Sequence, residues 1–293
     1  MRRTSLPAIA TLTALAAVSL AACGGSTSTS GPSTATNHPP PLLRTALAAW
    51  SNFPVTAPRR PVVLLDRDNV NAPAGGFTDD AIKTDDAIKE AFFDGAIAGP
   101  ASYPTGPTSS DGFDLITSQQ AFTILKTPSG SGPPATVTLQ VTKVAAGTGT
   151  FQTDRGNLPF PAWQFWMQGV QNPASVLAIS SKEVFVPPPS NNRPQGVGAG
   201  TIGPDDRTLL LTFVGPAAGS GPCEANFVAS SAESASAVAV SLRAITSPKY
   251  KSVGCTLVGF VRHLTIRLLT PLRNRVLVDA SSLMAVPVTK SSA

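Results

Sequence analysis

Thr136-Val137-Thr138-Leu139-Gln140-Val141-Thr142 alternates without a break, aliphatic side chains on one side and threonine or glutamine on the other. A period of two residues is the signature of a half-buried strand, and valine and threonine suit its pleated surface. Outward from this stretch the texture stays β. Further strands are expected at 151–153, 161–168, 176–179, 208–214, 225–229, 237–245, 258–269 and 275–278. The strand over 161–168 sends Trp163, Phe165 and Met167 to one side, the expected core, and Gln164, Trp166 and Gln168 to the other.

Upstream the periodicity is helical in places. Residues 42–50 and 114–125 read as short helices, the latter with Leu115, Gln119, Phe122 and Leu125 roughly in line. The stretch 78–94 reads as the best helix. Thr78 stands at its N-cap, Ala81, Ile88, Ala91 and Phe92 form one stripe, and Gly95 is its stop. Pro61-Val62-Val63-Leu64-Leu65 reads as a buried strand with Asp66-Arg67-Asp68-Asn69 as its polar exit. The fold class that follows is α+β: β-rich, mainly antiparallel, with two or three short helices in the first half.

The first residues read as an export signal. Arg2 and Arg3 form a positive start, residues 6–20 form an uncharged apolar stretch, and Ala21-Ala22 precede Cys23. That stretch is shorter than the roughly 20 apolar residues a membrane-spanning helix needs. Residues 24–41 are Gly, Ser, Thr and Pro with few apolar side chains, the composition of a tether. The expected organisation is a signal at 1–22 and a tether at 23–41. A mixed α+β portion at 42–186, a Pro/Gly-rich linker or loop at 187–203 and a smaller β-rich portion at 204–293 follow. With Cys23 set aside, Cys223 and Cys255 are an even pair outside the cytoplasm, and a disulfide is expected; two free thiols are the alternative.

Composition removes whole classes of chemistry. Two histidines and three cysteines leave almost no stock for a zinc site, an iron–sulfur cluster or a haem. No metal site and no cofactor is expected. No Gly-x-Ser-x-Gly elbow, Walker loop or dinucleotide fingerprint occurs. The glycine cluster Gly196-Val197-Gly198-Ala199-Gly200 lies in the loop-like segment and does not read as a phosphate cradle. A serine triad or a catalytic cysteine would have to use His263, which is expected on an exposed strand face beside Thr265 and Arg267.

Three places remain where function could sit. Ten carboxylates and three basic residues lie between Asp66 and Asp114. Two i,i+4 pairs, Asp79–Lys83 and Asp85–Lys89, explain much of this as a solvated helix face, which leaves Asp66 and Asp68 at the strand end. Asp154-Arg155-Gly156 reads as a turn, yet Asp154 and Arg155 join Trp166 as a candidate ligand-binding set, because an indole flanked by amides can stack on a sugar ring or a peptide. Finally, no carboxylate lies between Glu233 and Asp279, where Arg243, Lys249, Lys251, Arg262, Arg267, Arg273 and Arg275 make a basic stretch. Outside the cell that stretch suits anionic headgroups or wall polymers and not nucleic acid. The bland reading is that the acidic and basic regions face each other.

The run Leu20-Ala21-Ala22-Cys23 resembles the lipobox of bacterial lipoproteins. The resemblance implies that Cys23 receives a diacylglyceryl group, with acyl chains of the palmitate type, and becomes the first residue after cleavage. The chain as a whole resembles the secreted lipoproteins of high-GC Gram-positive bacteria. The shared features are the tether, the low lysine content, the alanine-rich strands, the segments 151–156 and 161–163, the paired cysteines and the run 271–279. It carries no catalytic residue across.

The expectation is therefore a lipid-anchored protein on the extracytoplasmic face of the cell membrane that binds or scaffolds a glycan, an anionic wall polymer or an envelope protein. A solute- or glycan-binding receptor is the second reading, and a hydrolase pairing Asp66 or Asp68 with Asp154 the third. Whether any reaction is catalysed stays open, with a non-enzyme favoured.

Overall fold

The alternating stretch leads into the longest strand among the described residues. A computed structural model describes residues 39–65, 69–77, 86–129, 134–191, 193–247, 254–255 and 258–291. Three short helices occur in the first half: α1 (Pro41–Ala49), α2 (Asp86–Phe93) and α3 (Ser118–Leu125). The strands there are β1 (Val70–Asn71), β2 (Ile97–Ala98), β3 (Ser109–Ser110), β4 (Phe113–Asp114), β5 (Leu139–Thr153), β6 (Gly156–Met167) and β7 (Ala174–Leu177). They are followed by β8 (Ala199–Ile202), β9 (Thr208–Gly215), β10 (Asn226–Glu233), β11 (Ala237–Ile245), β12 (Phe260–Arg267), β13 (Val276–Asp279) and β14 (Val288–Lys290). The protein is β-rich α+β, and most of its pairings are antiparallel.

Strands β5 and β6 form a long hairpin at the centre of a five-stranded sheet ordered β1-β7-β6-β5-β2. Trp163, Phe165 and Met167 enter one core with Leu139, Val141, Phe92 of α2 and Phe122 of α3. Phe160 and Ala162, on the opposite face of β6, enter another core with Val62, Leu64, Phe151 and Leu177. The two expected strands at 136–142 and 151–153 are ends of one 15-residue strand. Gly147 allows this continuity, because a Cβ there would stand 2.7 Å from the Gln164 side chain lying across it. The strand starts at Leu139, leaving Val137 exposed ahead of it.

The second half is a sandwich on one helix. A three-stranded sheet, β10-β11-β13, and a four-stranded sheet, β12-β9-β8-β14, share a core that includes Leu209, Leu211, Val238, Val240, Ile266 and Leu277. The other face of the three-stranded sheet presents Ala237, Ala239, Val276 and Val278 to Leu43 and Ala46 of α1 and to Trp50. Alternating Ala and Val on β11 thus gives the helix a shallow face and the sandwich a bulky one. Strands buried on both faces read as continuous apolar runs, as 237–240 and 276–278 do. All described residues belong to one compact unit, with α1 packed on β10 and β11 of the second portion.

Several sequence expectations need correction. The segment 187–203, read as linker or loop, ends in strand β8, which pairs antiparallel with β9. Its residues are small because Gly200 lies against Leu209 and Leu277, where a Cβ would come within 3.1 Å of each. Residues 61–65 form no continuous strand; Val62 bridges Val184 and Leu64 bridges Thr153. The helix expected at 114–125 starts at Ser118. Thr117 caps it by accepting from the Gln120 backbone N–H, and the Gln120 side chain accepts in return from the Thr117 N–H. Of the helix expected at 78–94, residues 86–93 are helical, while 78–85, Thr78 included, lie outside the described residues.

Candidate functional site

Trp166 is half-buried near the open end of the hairpin, on the face of β6 opposite Phe165 and Met167. Its cross-strand neighbour Lys143 lays its ammonium over the indole, 4.4 Å from the ring centroid. Such an arrangement is a cation–π contact. Gln164 precedes Trp166 on the same face, and its Nε2 donates to the Thr148 carbonyl. Just past Trp166, the Gln168 N–H donates to the Gln140 carbonyl at 2.9 Å. Gln140 and Gln168 line an open groove of about 270 Å³, closed on its other side by Ala87 and Ile88 of α2. Trp166 is thus an aromatic platform with a cationic cover and amides beside it, whereas the groove, which α2 closes from the side of Phe165 and Met167, does not include it.

Asp154 and Arg155 stand at the opposite end of the hairpin. Ten residues lie between Arg155 and Trp166 along the strand, about 35 Å at the usual rise, so the two parts of the candidate ligand set do not meet. Asp154 is 1 % exposed. Arg60 grips its carboxylate with both guanidinium NH groups, one at 3.1 Å and the other closer. Arg155 donates to the carbonyls of Arg273 at 2.7 Å and Arg275 at 2.8 Å, and burial pulls its guanidinium below its ordinary range. The Asp154 N–H donates to the Val63 carbonyl, and the Asp154 carbonyl accepts from Val288. The turn is a fastening point between chain segments.

The remaining candidates fall as follows. Cys223 and Cys255 form a disulfide between the β9–β10 and β11–β12 connections. Cys23, Asp66, Asp68, Lys249 and Lys251 lie outside the described residues. His263 is exposed on β12, its Nδ1 3.1 Å from the Thr212 hydroxyl. Among the described residues, the arginines of the basic stretch do not pair with the acidic cluster. Arg267 pairs with Asp205 and Arg275 with Glu233, while Arg262 donates to the carbonyls of Pro216 and Ala225. Among the described residues, no group of three or more His, Cys, Asp or Glu is placed to hold a metal ion.

Sequence reasoning missed Arg60, the buried Glu233–Arg275 pair and the Asp279 turn. One oxygen of Asp279 accepts from the Ser281 and Ser282 hydroxyls and the Ser282 N–H; the other is buried without a protein partner. The doublet Arg59-Arg60 before an apolar run was the only signal for the first, and it carries no spacing that points to Asp154. Comparison with protein families, with curated proteins and with solved structures finds no match to this chain.

Proposed function

We propose that the protein is a lipid-anchored binding module of the cell envelope, held through Cys23 on the extracytoplasmic face and engaging a glycan or a peptide segment across Trp166. The observation that carries the binding half of this reading is Trp166 beneath Lys143 and beside Gln164. A flat indole accepts the C–H face of a sugar or the edge of a peptide, flanking amides fix orientation by hydrogen bonds, and Lys143 moves aside or pairs with an anionic group. The disulfide, favoured in an oxidising compartment, is consistent with export.

A solute receptor is the second reading, and the groove favours it by size, since about 270 Å³ approaches the small end of the range for small-molecule sites. The carboxylate hydrolase finds less support. Asp154 is taken by Arg60, and its supposed partners lie outside the described residues.

Native mass spectrometry of the full chain, purified after export, tests the binding reading. A bound glycan, peptide or solute that is lost in Trp166→Ala, with the thermal melt unchanged, supports it. Identical binding by Trp166→Ala overturns the role of that face. Anchoring is tested separately. Cys23→Ala should appear in the medium or persist as unprocessed precursor, and a processed, membrane-retained variant ends the anchor reading.

A further inference from the structure

A second surface lies at the corner of the sandwich where β12 begins. In the antiparallel register Val261 stands opposite Val214, and Phe260 stands opposite Gly215. Val214, Val258 and Val261 are 71 %, 62 % and 66 % exposed, and Phe260 is 48 % exposed. Strand β12 is the edge of its sheet. Phe260 and Val261 point to its two faces, so the apolar surface wraps around the corner. Singly exposed aliphatics need no explanation, but four converging on one corner do.

Strand β12 and the connection before it carry cations and no acid. No carboxylate occurs between Glu233 and Asp279, a span that includes all of β12 and the β11–β12 connection. Arg243 is exposed near the end of β11. Arg262 is tied to the carbonyls of Pro216 and Ala225 and carries its charge with no carboxylate partner in those contacts. One acid, Glu224, stands in the β9–β10 connection next to Ala225, where it accepts from the Gly221 N–H.

We propose that this corner docks onto an anionic phospholipid bilayer, with Val258, Phe260, Val261 and Val214 entering the headgroup region and Arg243 and Arg262 facing lipid phosphates. Exposed apolar side chains beside cationic ones are the arrangement that binds such interfaces. A soluble polyanion would use the arginines but gains nothing from four apolar side chains, which favours the bilayer over a wall polymer. The proposal goes beyond the anchoring reading and does not need it, because the corner lies on the folded part.

The test is co-sedimentation of the Cys23→Ala protein in the form released to the medium, so that neither an acyl chain nor the apolar stretch 6–20 contributes, with vesicles of phosphatidylcholine alone or with about one-third phosphatidylglycerol. The parent should bind the anionic vesicles at least tenfold more strongly, and less so in high salt. The double variant Val258→Asp, Val261→Asp should lose at least tenfold. Leu269→Asp, an equally exposed leucine beyond the other end of β12, should bind like the parent. Both substituted valines are surface residues, and an unchanged melt confirms that the fold survives. Equal binding by parent and double variant overturns the proposal, as does indifference to lipid charge. Retention by a soluble poly(glycerol phosphate) but not by vesicles would assign the corner to a polymer instead.

Discussion

Arg60 and Asp154, 94 residues apart in sequence, form a two-pronged ion pair at the tip of the long hairpin, with the carboxylate 1 % exposed. Removing Arg60 leaves the buried carboxylate with Arg155 alone, 3.9 Å away, which puts the cost at the low end of the range for a broken buried pair, about 3–5 kcal/mol. Arg60→Met should therefore lower stability by about 3 kcal/mol in urea unfolding, with Asp154→Leu added on top restoring part of it. An Arg60→Met midpoint indistinguishable from the parent would show that the pair contributes nothing.

The acid limb of the stability curve should carry the signature of Asp205. Hydrogen bonds from the Thr208 and Arg207 backbone and from the Thr208 hydroxyl hold its carboxyl at about 2, against an ordinary 3.8. A carboxyl depressed in the folded state stabilises it above the unfolded value and loses that contribution as pH falls through the folded one. Glu233 acts in the same direction. Burial opposes its ionisation, but Arg275 and the N–H groups of Leu269 and Thr270, with the Thr270 hydroxyl, outweigh it and keep the carboxyl below its ordinary range. Asp205→Ala should be less stable than the parent at pH 6, and the gap should close between about pH 4 and pH 2. A gap that is constant across that range would mean the carboxyl titrates alike in both states.

Reduction should weaken the sandwich. The Cys223–Cys255 bond closes a loop across 32 residues of separation, worth about 3–4 kcal/mol in the chain-entropy account. The pair Cys223→Ser, Cys255→Ser should melt lower by an amount matching the parent in reductant. If reductant leaves the parent unaffected while its thiols become accessible, the bridge constrains nothing that folding needs.

Gly106 lies directly on the Trp163 ring, where a Cβ would overlap the indole. That ring is fixed, since its Nε1–H donates to the Ile116 carbonyl at 2.9 Å and it sits in the core. Gly106→Ala should cost about 1–3 kcal/mol, the usual toll of overpacking. Gly254→Ala, with nothing within 4 Å, should stay within about 0.5 kcal/mol of the parent. Equal melts for the two would contradict the packing argument.

The core face of β6 was legible because Trp163, Phe165 and Met167 alternate with amides and a second tryptophan. The disulfide was legible once the lipobox resemblance assigned Cys23 to lipid and left Cys223 and Cys255 as a pair. Strand β8 was not, because Ala199 and Gly200 carry no β-propensity; their size answers to Leu209 and Leu277, which only the folded sheet brings near. The role of Asp154 was hidden for the same reason. The Leu64–Thr153 bridge lays residues 60–65 beside the hairpin tip, and that placement, not any local motif, delivers Arg60. Trp166 was picked out by its neighbours, whereas its cover by Lys143 depends on the register shift between Val141 and Lys143.

The Asp154 turn takes a hydrogen bond to Val63 on one side and another from Val288 on the other. A chain emerging residue by residue cannot finish this junction until Val288 has arrived, however early the hairpin forms. Completion of this one junction, a contact of high sequence separation, is thereby left to the end of delivery. Under the export proposed above, in which the chain is threaded through a membrane in extended form, a junction that closes late would leave this end of the hairpin open for as long as threading requires.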